Sequence, residues 1–97
     1  MNIQKTLSGA ALTVALEGRL DTTTAPKLEE LRGSVDGVSR LVFDLAKLEY
    51  ISSAGLRVLL AMQKLMNRQG AMLLWNVNEA VMEVFEVTGF SDILHIE

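Results

Sequence analysis

Ser52 and Ser53 are the residues of this sequence whose type and position could support reversible chemistry. They follow an apolar run and come just before a helical pattern that starts near Ala54. A hydroxyl at a helix N-terminus lies among backbone N–H groups without intrahelical partners, so a phosphate attached to Ser53 would be held by those donors and by the helix dipole. Serine is also a preferred N-cap residue. The local sequence therefore leaves two roles open for Ser53, phosphate acceptor and structural cap.

The sequence offers few residues for catalysis or metal binding. His95 is its single histidine and is expected at a surface or sheet edge, and the chain has no cysteine, so neither a zinc cluster nor thiol chemistry is expected. Neither glycine-rich phosphate-binding motif, G-x-x-x-x-G-K-[ST] or G-x-G-x-x-G, is present. Asp21, Asp44 and Glu49 would hold Mg²⁺ only if the fold gathered them, and acidic residues at strand ends and helix starts are more often solvated or capping. We predict no cofactor and no enzymatic activity.

The composition predicts one small domain covering residues 1–97. Hydrophobic residues make up 49% of the chain and charged residues 22%, and no uncharged apolar run reaches the roughly 18 residues of a membrane span. Residues 1–10 lack a basic region followed by an apolar one, so no signal peptide is expected and the cytosol is the predicted compartment. The net charge of −3 comes with scattered basic residues, whereas nucleic-acid binding needs a clustered basic face. The expected partner is a protein.

The first elements are predicted from alternating and helical hydrophobic patterns. Ile3 to Leu16 is predicted to form two strands joined by a turn at Ser8-Gly9. A helix is expected to start at Thr24 as the N-cap, with Pro26 in its first turn. Its apolar stripe is formed by Leu28, Leu31 and Val35.

The serines lie between a central strand and a second helix. The strand is predicted at Arg40 to Leu45, an almost continuous apolar run, and a turn is expected after it. The helix is predicted from about Ala54 to Gln69, with Gly70 as its stop. Its buried face is predicted to contain Leu56, Leu59, Leu60, Leu65 and Met66, and its polar face Arg57, Ala61, Lys64 and Arg68. Any side chain at Gly55 is expected to obstruct close approach of a partner or of the neighbouring strand, although helix propensity alone would make Gly55→Ala stabilising by up to about 1 kcal/mol.

The last third of the chain predicts a strand, a helix and a closing strand. The strands are Ala71 to Trp75 and Ile93 to Ile96, and the helix between them is capped by Asn78 and ended by Gly89. Its core stripe is Val81, Val84, Phe85 and Thr88, and its outer face, expected to be solvated, carries Glu79, Glu83 and Glu86. The predicted order is ββαβαβαβ. We therefore expect an α/β fold with a mixed sheet of about five strands.

Three motifs of this sequence resemble the STAS domain family, in particular the anti-sigma factor antagonists of bacteria. The main one runs from Leu41-Val42-Phe43-Asp44-Leu45 through Tyr50-Ile51 into Ser52-Ser53-Ala54-Gly55-Leu56. The second is Gly18-Arg19-Leu20-Asp21 followed by Thr24-Ala25, and the third is Val87-Thr88-Gly89-Phe90. Together they span essentially the whole chain in the expected order. The resemblance implies a STAS-like fold with helices packed against the sheet.

The resemblance also implies a function, partner switching. In such a cycle the unmodified antagonist binds an anti-sigma factor that is also a serine kinase and thereby frees a sigma factor for transcription. Phosphorylation of the antagonist reverses the binding, and a serine phosphatase is expected to restore it. The acceptor in the family is the serine two positions before the Gly-Leu pair, which is Ser53 here, with Ser52 as its nearest competitor. Ser52 stands where the family commonly has aspartate.

A phosphate on Ser53 is expected to block a partner surface without unfolding the domain, because the helix start accommodates the charge and a closely packed partner does not. The predicted partner-binding residues are Ile51, Ser52, Ala54, Gly55 and Leu56, together with Asp21, Thr22 and Thr23 from the loop before the first helix. That loop should lie at the same end of the sheet, although a plain helix-start turn explains it equally well. Two other functions stay open: a constitutive STAS subunit of a lipid-transport or stress-signalling complex, and a nucleotide-binding enzyme.

Overall fold

The computed structural model describes residues 1–97 and contains four strands and three α-helices. The strands are β1 (Asn2–Ser8), β2 (Ala11–Leu20), β3 (Arg40–Ile51) and β4 (Ala71–Trp75). The helices are α1 (Ala25–Glu29), α2 (Ser53–Met66) and α3 (Glu79–Thr88). Short 3₁₀ segments follow α1 at Glu30–Ser34 and α3 at Phe90–Asp92. None of the helices is both long enough and apolar enough to span a bilayer.

The four strands form one mixed sheet in the order β1-β2-β3-β4. β1 and β2 are antiparallel, joined through a tight turn in which Gly9 has a φ of +61°. β2 and β3 are parallel, and so are β3 and β4, as expected when a helix-containing connection joins two strands. The predicted α/β class and mixed sheet are confirmed.

The helices pack on one face of the sheet. In β2, Leu12, Val14 and Leu16 are buried while the alternate residues are only half-buried, which is the period of a strand with one covered face. Their side chains share a single hydrophobic core with residues from all three helices, among them Leu28, Leu59 and Phe85. This core fixes the end of β2, which leads to Asp21, and the end of β3, which leads to Ser52 and Ser53.

β3 is longer than the sequence predicts. It does not turn after Leu45 but continues to Ile51, pairing with the last residues of β2. The register with β2 shifts twice, so β3 uses two more residues than its neighbour over this stretch. These bulges place Leu48 and Ile51 in the core with two exposed residues between them. Buried residues therefore recur every third position here, so the pattern that predicts a strand, alternation of every second residue, is absent.

The predicted closing strand is wrong. Ile93 to Ile96 forms only an isolated parallel bridge between Ile96 and Leu74. The reason is that the chain first makes a 3₁₀ turn, in which the Ile93 N–H donates to the Phe90 carbonyl oxygen at 3.0 Å, and Leu94 is buried in the core. Too few residues are left to form a fifth strand, and the observed order is ββαβαβα.

The helices differ from their predicted limits in detail. Thr24 precedes α1, and Pro26 lies in its first turn as predicted, but the Thr24 side chain does not cap the helix. α2 begins at Ser53 and ends at Met66, short of Gln69. On its buried face, Leu60 and Leu65 are only half-buried. Residues that the prediction left out, namely Val58, Met62 and Gln63, are buried instead.

α3 follows the predicted limits closely. The Asn78 side chain caps it by accepting a hydrogen bond from the Val81 N–H at 2.9 Å, and Gly89 ends it with a φ of +81°. Of the predicted core stripe, Val81 and Phe85 are buried and Val84 is half-buried, whereas Thr88 is exposed. All three glutamates of the outer face, Glu79, Glu83 and Glu86, are exposed.

Candidate functional site

Ser52 is the residue that caps α2. Its backbone is extended, with φ −98° and ψ 174°, and its side chain accepts a hydrogen bond from the Gly55 N–H at 3.4 Å. Its own N–H donates to the Leu20 carbonyl oxygen at 2.9 Å, which joins the helix start to the end of β2. The capping role that the sequence left open for Ser53 therefore belongs to its neighbour.

Ser53 is the first residue of α2, and its side chain is exposed. No hydrogen bond within the protein engages its hydroxyl. The N–H groups of Ser53 and Ala54 lie in the first turn, where a helix supplies no carbonyl acceptor. A negatively charged group on the hydroxyl would therefore find free donors and the positive end of the helix dipole close by. Ser53 is chemically available, whereas Ser52 is half-buried and used by the cap.

The second predicted segment forms a hydrogen-bonded turn around Asp21. The Asp21 carboxylate accepts hydrogen bonds from the Thr23 hydroxyl at 2.6 Å, from the Thr23 N–H at 2.9 Å and from the Thr24 N–H at 3.2 Å. The hydroxyl of Thr24 donates to the Arg19 carbonyl oxygen and accepts from the Asp21 N–H, each at 2.8 Å. The bond from the Thr23 hydroxyl, helped by the two backbone N–H groups, lowers the pKa of Asp21 below its usual 3.8. The turn is thus held with its carboxylate ionised, and Thr22 and Thr23 are exposed.

The fold brings the Asp21 turn next to the start of α2, as the sequence predicts. Leu20 lies opposite Ile51 in the parallel ladder, so the residues that follow each of them leave the sheet side by side. Thr22 and Ala54 line the same shallow groove between α1 and α2. The exposed part of the site therefore combines the Asp21 turn, Ser53 and Ala54.

Three of the predicted partner-binding residues lie beneath this surface. Ile51 and Leu56 are 2% and 4% exposed, because they close the core where the sheet meets α2, so their side chains do not form part of the exposed surface. Gly55 is buried as well, and a Cβ added there would lie 2.6 Å from the Cγ of Leu20 and 3.0 Å from the Cγ1 of Ile51. The expected obstruction by a neighbouring strand is therefore present at Gly55, and overlap in a packed core outweighs the gain that helix propensity alone would give Gly55→Ala.

Comparison with known proteins settles the family. The model for the STAS domain family matches residues 2–97. The chain belongs to the STAS domain family. One relative, BtrV of Bordetella bronchiseptica, provisionally named an anti-sigma factor antagonist, is 43% identical over 88 residues, which cover 88% of this chain and 76% of BtrV. The anti-sigma-B factor antagonist of Staphylococcus aureus is 29% identical over 99 residues, which cover 99% of this chain and 92% of the relative.

Solved structures agree on the STAS fold. The anti-sigma factor antagonist SpoIIAA in its unphosphorylated form superposes with a TM-score of 0.84 at 17% identity, covering 99% of this chain and 88% of SpoIIAA. SpoIIAA of Bacillus in its phosphorylated form gives a TM-score of 0.74 at 18% identity, covering 99% of this chain and 91% of that structure. At these identities the likeness concerns the fold alone, and it confirms the predicted STAS-like architecture.

Two exposed residues of this STAS domain lie beside the site and were missed from the sequence. Arg19 and Tyr50 are neighbours in the ladder between β2 and β3, and the guanidinium of Arg19 lies 4.3 Å from the centre of the Tyr50 ring. Tyr50 is 40% exposed, and Arg19 Nε is 3.8 Å from the Asp21 carboxylate. Both residues lie within the motifs that resemble the family, and this was the one sequence signal that could have identified them. Their contact could not be predicted because Arg19 lies opposite Tyr50 only as a result of the register shifts in β3.

The carboxylates considered for Mg²⁺ do not form a cluster in this STAS domain. No three His, Asp or Glu side chains approach one another closely enough to hold a metal ion. Asp44 instead accepts hydrogen bonds from the Ala46 N–H at 3.1 Å and the Asn76 side chain at 3.0 Å. His95 is exposed beside the edge of β4, as predicted. The exposed surface around Ser53 is therefore the candidate functional site.

Proposed function

We propose that this STAS domain is an anti-sigma factor antagonist that acts by partner switching, with Ser53 as its phosphate acceptor. In its unmodified form it binds an anti-sigma factor that is also a serine kinase, and the kinase releases itself by phosphorylating Ser53. A serine phosphatase returns the antagonist to its binding state. This cycle takes place in the cytoplasm, where sigma factors act, and the domain itself serves as a binding protein rather than an enzyme.

The observation that carries the proposal is the division of roles between the two serines. Ser52 caps α2, so Ser53 is not needed for capping, and its hydroxyl is exposed to solvent without a hydrogen bond to the protein. Relatives named anti-sigma factor antagonists cover most of the chain, and SpoIIAA, which shares the fold, has been solved in phosphorylated and unphosphorylated forms. These names and forms support the same role for this chain.

The physical effect of the phosphate follows from the surroundings of Ser53. A phosphoserine carries a charge of roughly −1.5 to −2 at neutral pH. Within the protein, the free N–H groups of the first turn and the helix dipole offset that charge, so the fold is retained. A partner that covers Ser53 and the Asp21 turn would have to strip water from the phosphate, and this desolvation opposes the complex. Phosphorylation therefore controls binding and leaves folding largely unchanged.

The proposal is tested by incubating the purified protein with its cognate anti-sigma factor and ATP and mapping the product by mass spectrometry. We expect a single phosphate on Ser53, none on the Ser53→Ala variant, and continued modification of Ser52→Ala. Binding of the anti-sigma factor should be lost on phosphorylation. A phosphate on Ser52, or a stable complex with no phosphorylation at all, would overturn the assignment, and the second outcome would indicate the constitutive binding subunit instead.

A further inference from the structure

Leu20 connects the two halves of the proposed recognition surface. Its carbonyl oxygen accepts the hydrogen bond from the Ser52 N–H at 2.9 Å, and the next residue is Asp21, where the hydrogen-bonded turn begins. Its side chain is fully buried and lies directly under Gly55 of α2. One residue therefore touches the helix start through both its backbone and its side chain, and it leads into the turn.

Gly55 sets how closely α2 approaches this residue. A Cβ at Gly55 would lie 2.6 Å from the Leu20 Cγ and 3.0 Å from the Leu20 Cδ2. Carbon atoms in contact are normally about 3.5–4.0 Å apart, so any side chain at this position requires a separation of roughly 1 Å more. The short distance between α2 and the end of β2 thus depends on residue 55 being a glycine, which has no side chain.

The geometry indicates which side would move if the contact were widened. Leu20 is held by the ladder with β3 and is enclosed on all sides in the core. The first turn of α2 borders solvent, with Ser53 exposed and Ala54 half-buried. A shift of the helix start is therefore easier than a shift of the strand, and it carries Ser53 away from the Asp21 turn.

We propose that Leu20 and Gly55 form a positioning pair, which holds Ser53 at the separation from the Asp21 turn that the anti-sigma factor recognises. This inference rests on the proposed function, because it assigns both segments to one binding surface. Neither residue contacts the partner. Their role is to fix the relative placement of two exposed elements, and a surface built from two elements loses complementarity when one of them is displaced.

The test is a double-mutant cycle with Gly55→Ala, Leu20→Ala and the double variant, and with Gly33→Ala as the matched control. A Cβ at Gly33 meets no atom within 4 Å, so this control should bind like the wild type. Gly55→Ala should weaken binding of the anti-sigma factor about tenfold, and the double variant should recover part of the loss, a coupling typical of residues in contact. The remaining loss is expected because the Ile51 Cγ1, 3.0 Å from a Cβ at Gly55, is still present in the double variant. Because Leu20→Ala empties part of the core, the double variant should not regain wild-type stability. Recovery of affinity without recovery of the melting temperature is a result that a purely structural role does not give.

Crystal structures of the single and double variants provide a measurement that needs no partner. The Cα of Ser53 should move away from the Cα of Asp21 by about 1 Å in Gly55→Ala and move back toward its wild-type position in the double variant. If the wild type fails to bind any anti-sigma factor, the proposed function is wrong. In that case the displacement of the Ser53 Cα alone shows whether Leu20 and Gly55 fix the position of Ser53. If Gly55→Ala does not fold, the double variant should fold and bind the anti-sigma factor, because Leu20→Ala removes the Cγ and Cδ2 atoms that overlap with the new Cβ. Wild-type affinity of Gly55→Ala, an unmoved Ser53, or a double variant that binds no better than its worse parent would overturn the proposal.

Discussion

The division of roles between the adjacent serines predicts opposite effects of two single substitutions. Ser53→Asp places a carboxylate at the first position of α2, a helix of 14 residues, and removes no hydrogen bond. A negative charge in the first turn typically stabilises a helix by about 0.3–1 kcal/mol. For a domain of this size, where 1 kcal/mol corresponds to about 4–8 °C, the melting temperature should rise by about 1–8 °C.

Ser52→Ala should have the opposite effect. It removes the cap, which generally costs about 0.5–2 kcal/mol. Since the cap hydrogen bond to the Gly55 N–H is long, at 3.4 Å, we expect a value near the lower end, about 0.5–1 kcal/mol, and a melting temperature lower by about 2–8 °C. The two substitutions, one residue apart, should thus move the transition in opposite directions.

Calorimetry and binding measurements on the same samples separate the two roles. The gain in Ser53→Asp should shrink as ionic strength rises, because salt screens the interaction with the helix dipole. Ser53→Asp should also bind the anti-sigma factor at least about thirtyfold more weakly, equivalent to about 2 kcal/mol, while Ser53→Ala binds normally. A melting temperature of Ser53→Ala well below that of the wild type would show that Ser53 has a capping role, and unchanged affinity of Ser53→Asp would show that partners do not cover Ser53.

Two further predictions concern the elements around the site. Because the folded-state pKa of Asp21 is lowered, its ionised form stabilises the native state at neutral pH, and that contribution is lost as the pH falls from about 4 through the folded pKa. The urea midpoint of Asp21→Asn should therefore decline less than that of the wild type over this pH range. Parallel declines of the two midpoints would contradict the role given to the bonds from Thr23. Gly70→Ala should destabilise the protein by about 1–3 kcal/mol or more, since its Cβ would lie 1.9 Å from the Ser39 carbonyl oxygen. In the same urea denaturation assay, the free energy of unfolding of Gly33→Ala should stay within about 0.5 kcal/mol of the wild-type value.

The sequence predicted most of the fold because local signals agreed with the final packing. The β1–β2 hairpin, the Asn78 cap and the left-handed Gly89 each depend on a few neighbouring residues. In contrast, the position at which β3 ends and the conformation of Ile93 to Ile96 depend on residues distant in the sequence. β3 reaches Ile51 only because β2 provides a long partner for it with two register shifts, and no property of β3 alone contains that information.

The same limit explains which part of the site could be predicted. The motif located the serine pair and the Asp21 turn, because these are sequence features. Leu56 was predicted on the buried face of α2, but the burial of Ile51 and Gly55 was not predicted, since it depends on how deeply the start of α2 packs against β2. The sequence therefore predicted the segments that form the surface but not which of their side chains reach it.

Ser52 in place of the aspartate common in the family is compatible with a phosphate acceptor at Ser53. Serine and aspartate are about equally good N-caps, and the Ser52 side chain does accept the expected hydrogen bond from Gly55, so the change leaves the start of α2 in place. It does alter the electrostatics. An aspartate cap would place a carboxylate next to the phosphate, whereas a neutral hydroxyl adds no like charge and competes less for the first-turn N–H groups. A phosphate on Ser53 therefore meets less repulsion within this protein than it would beside aspartate, so the serine pair favours the modified state rather than excluding it.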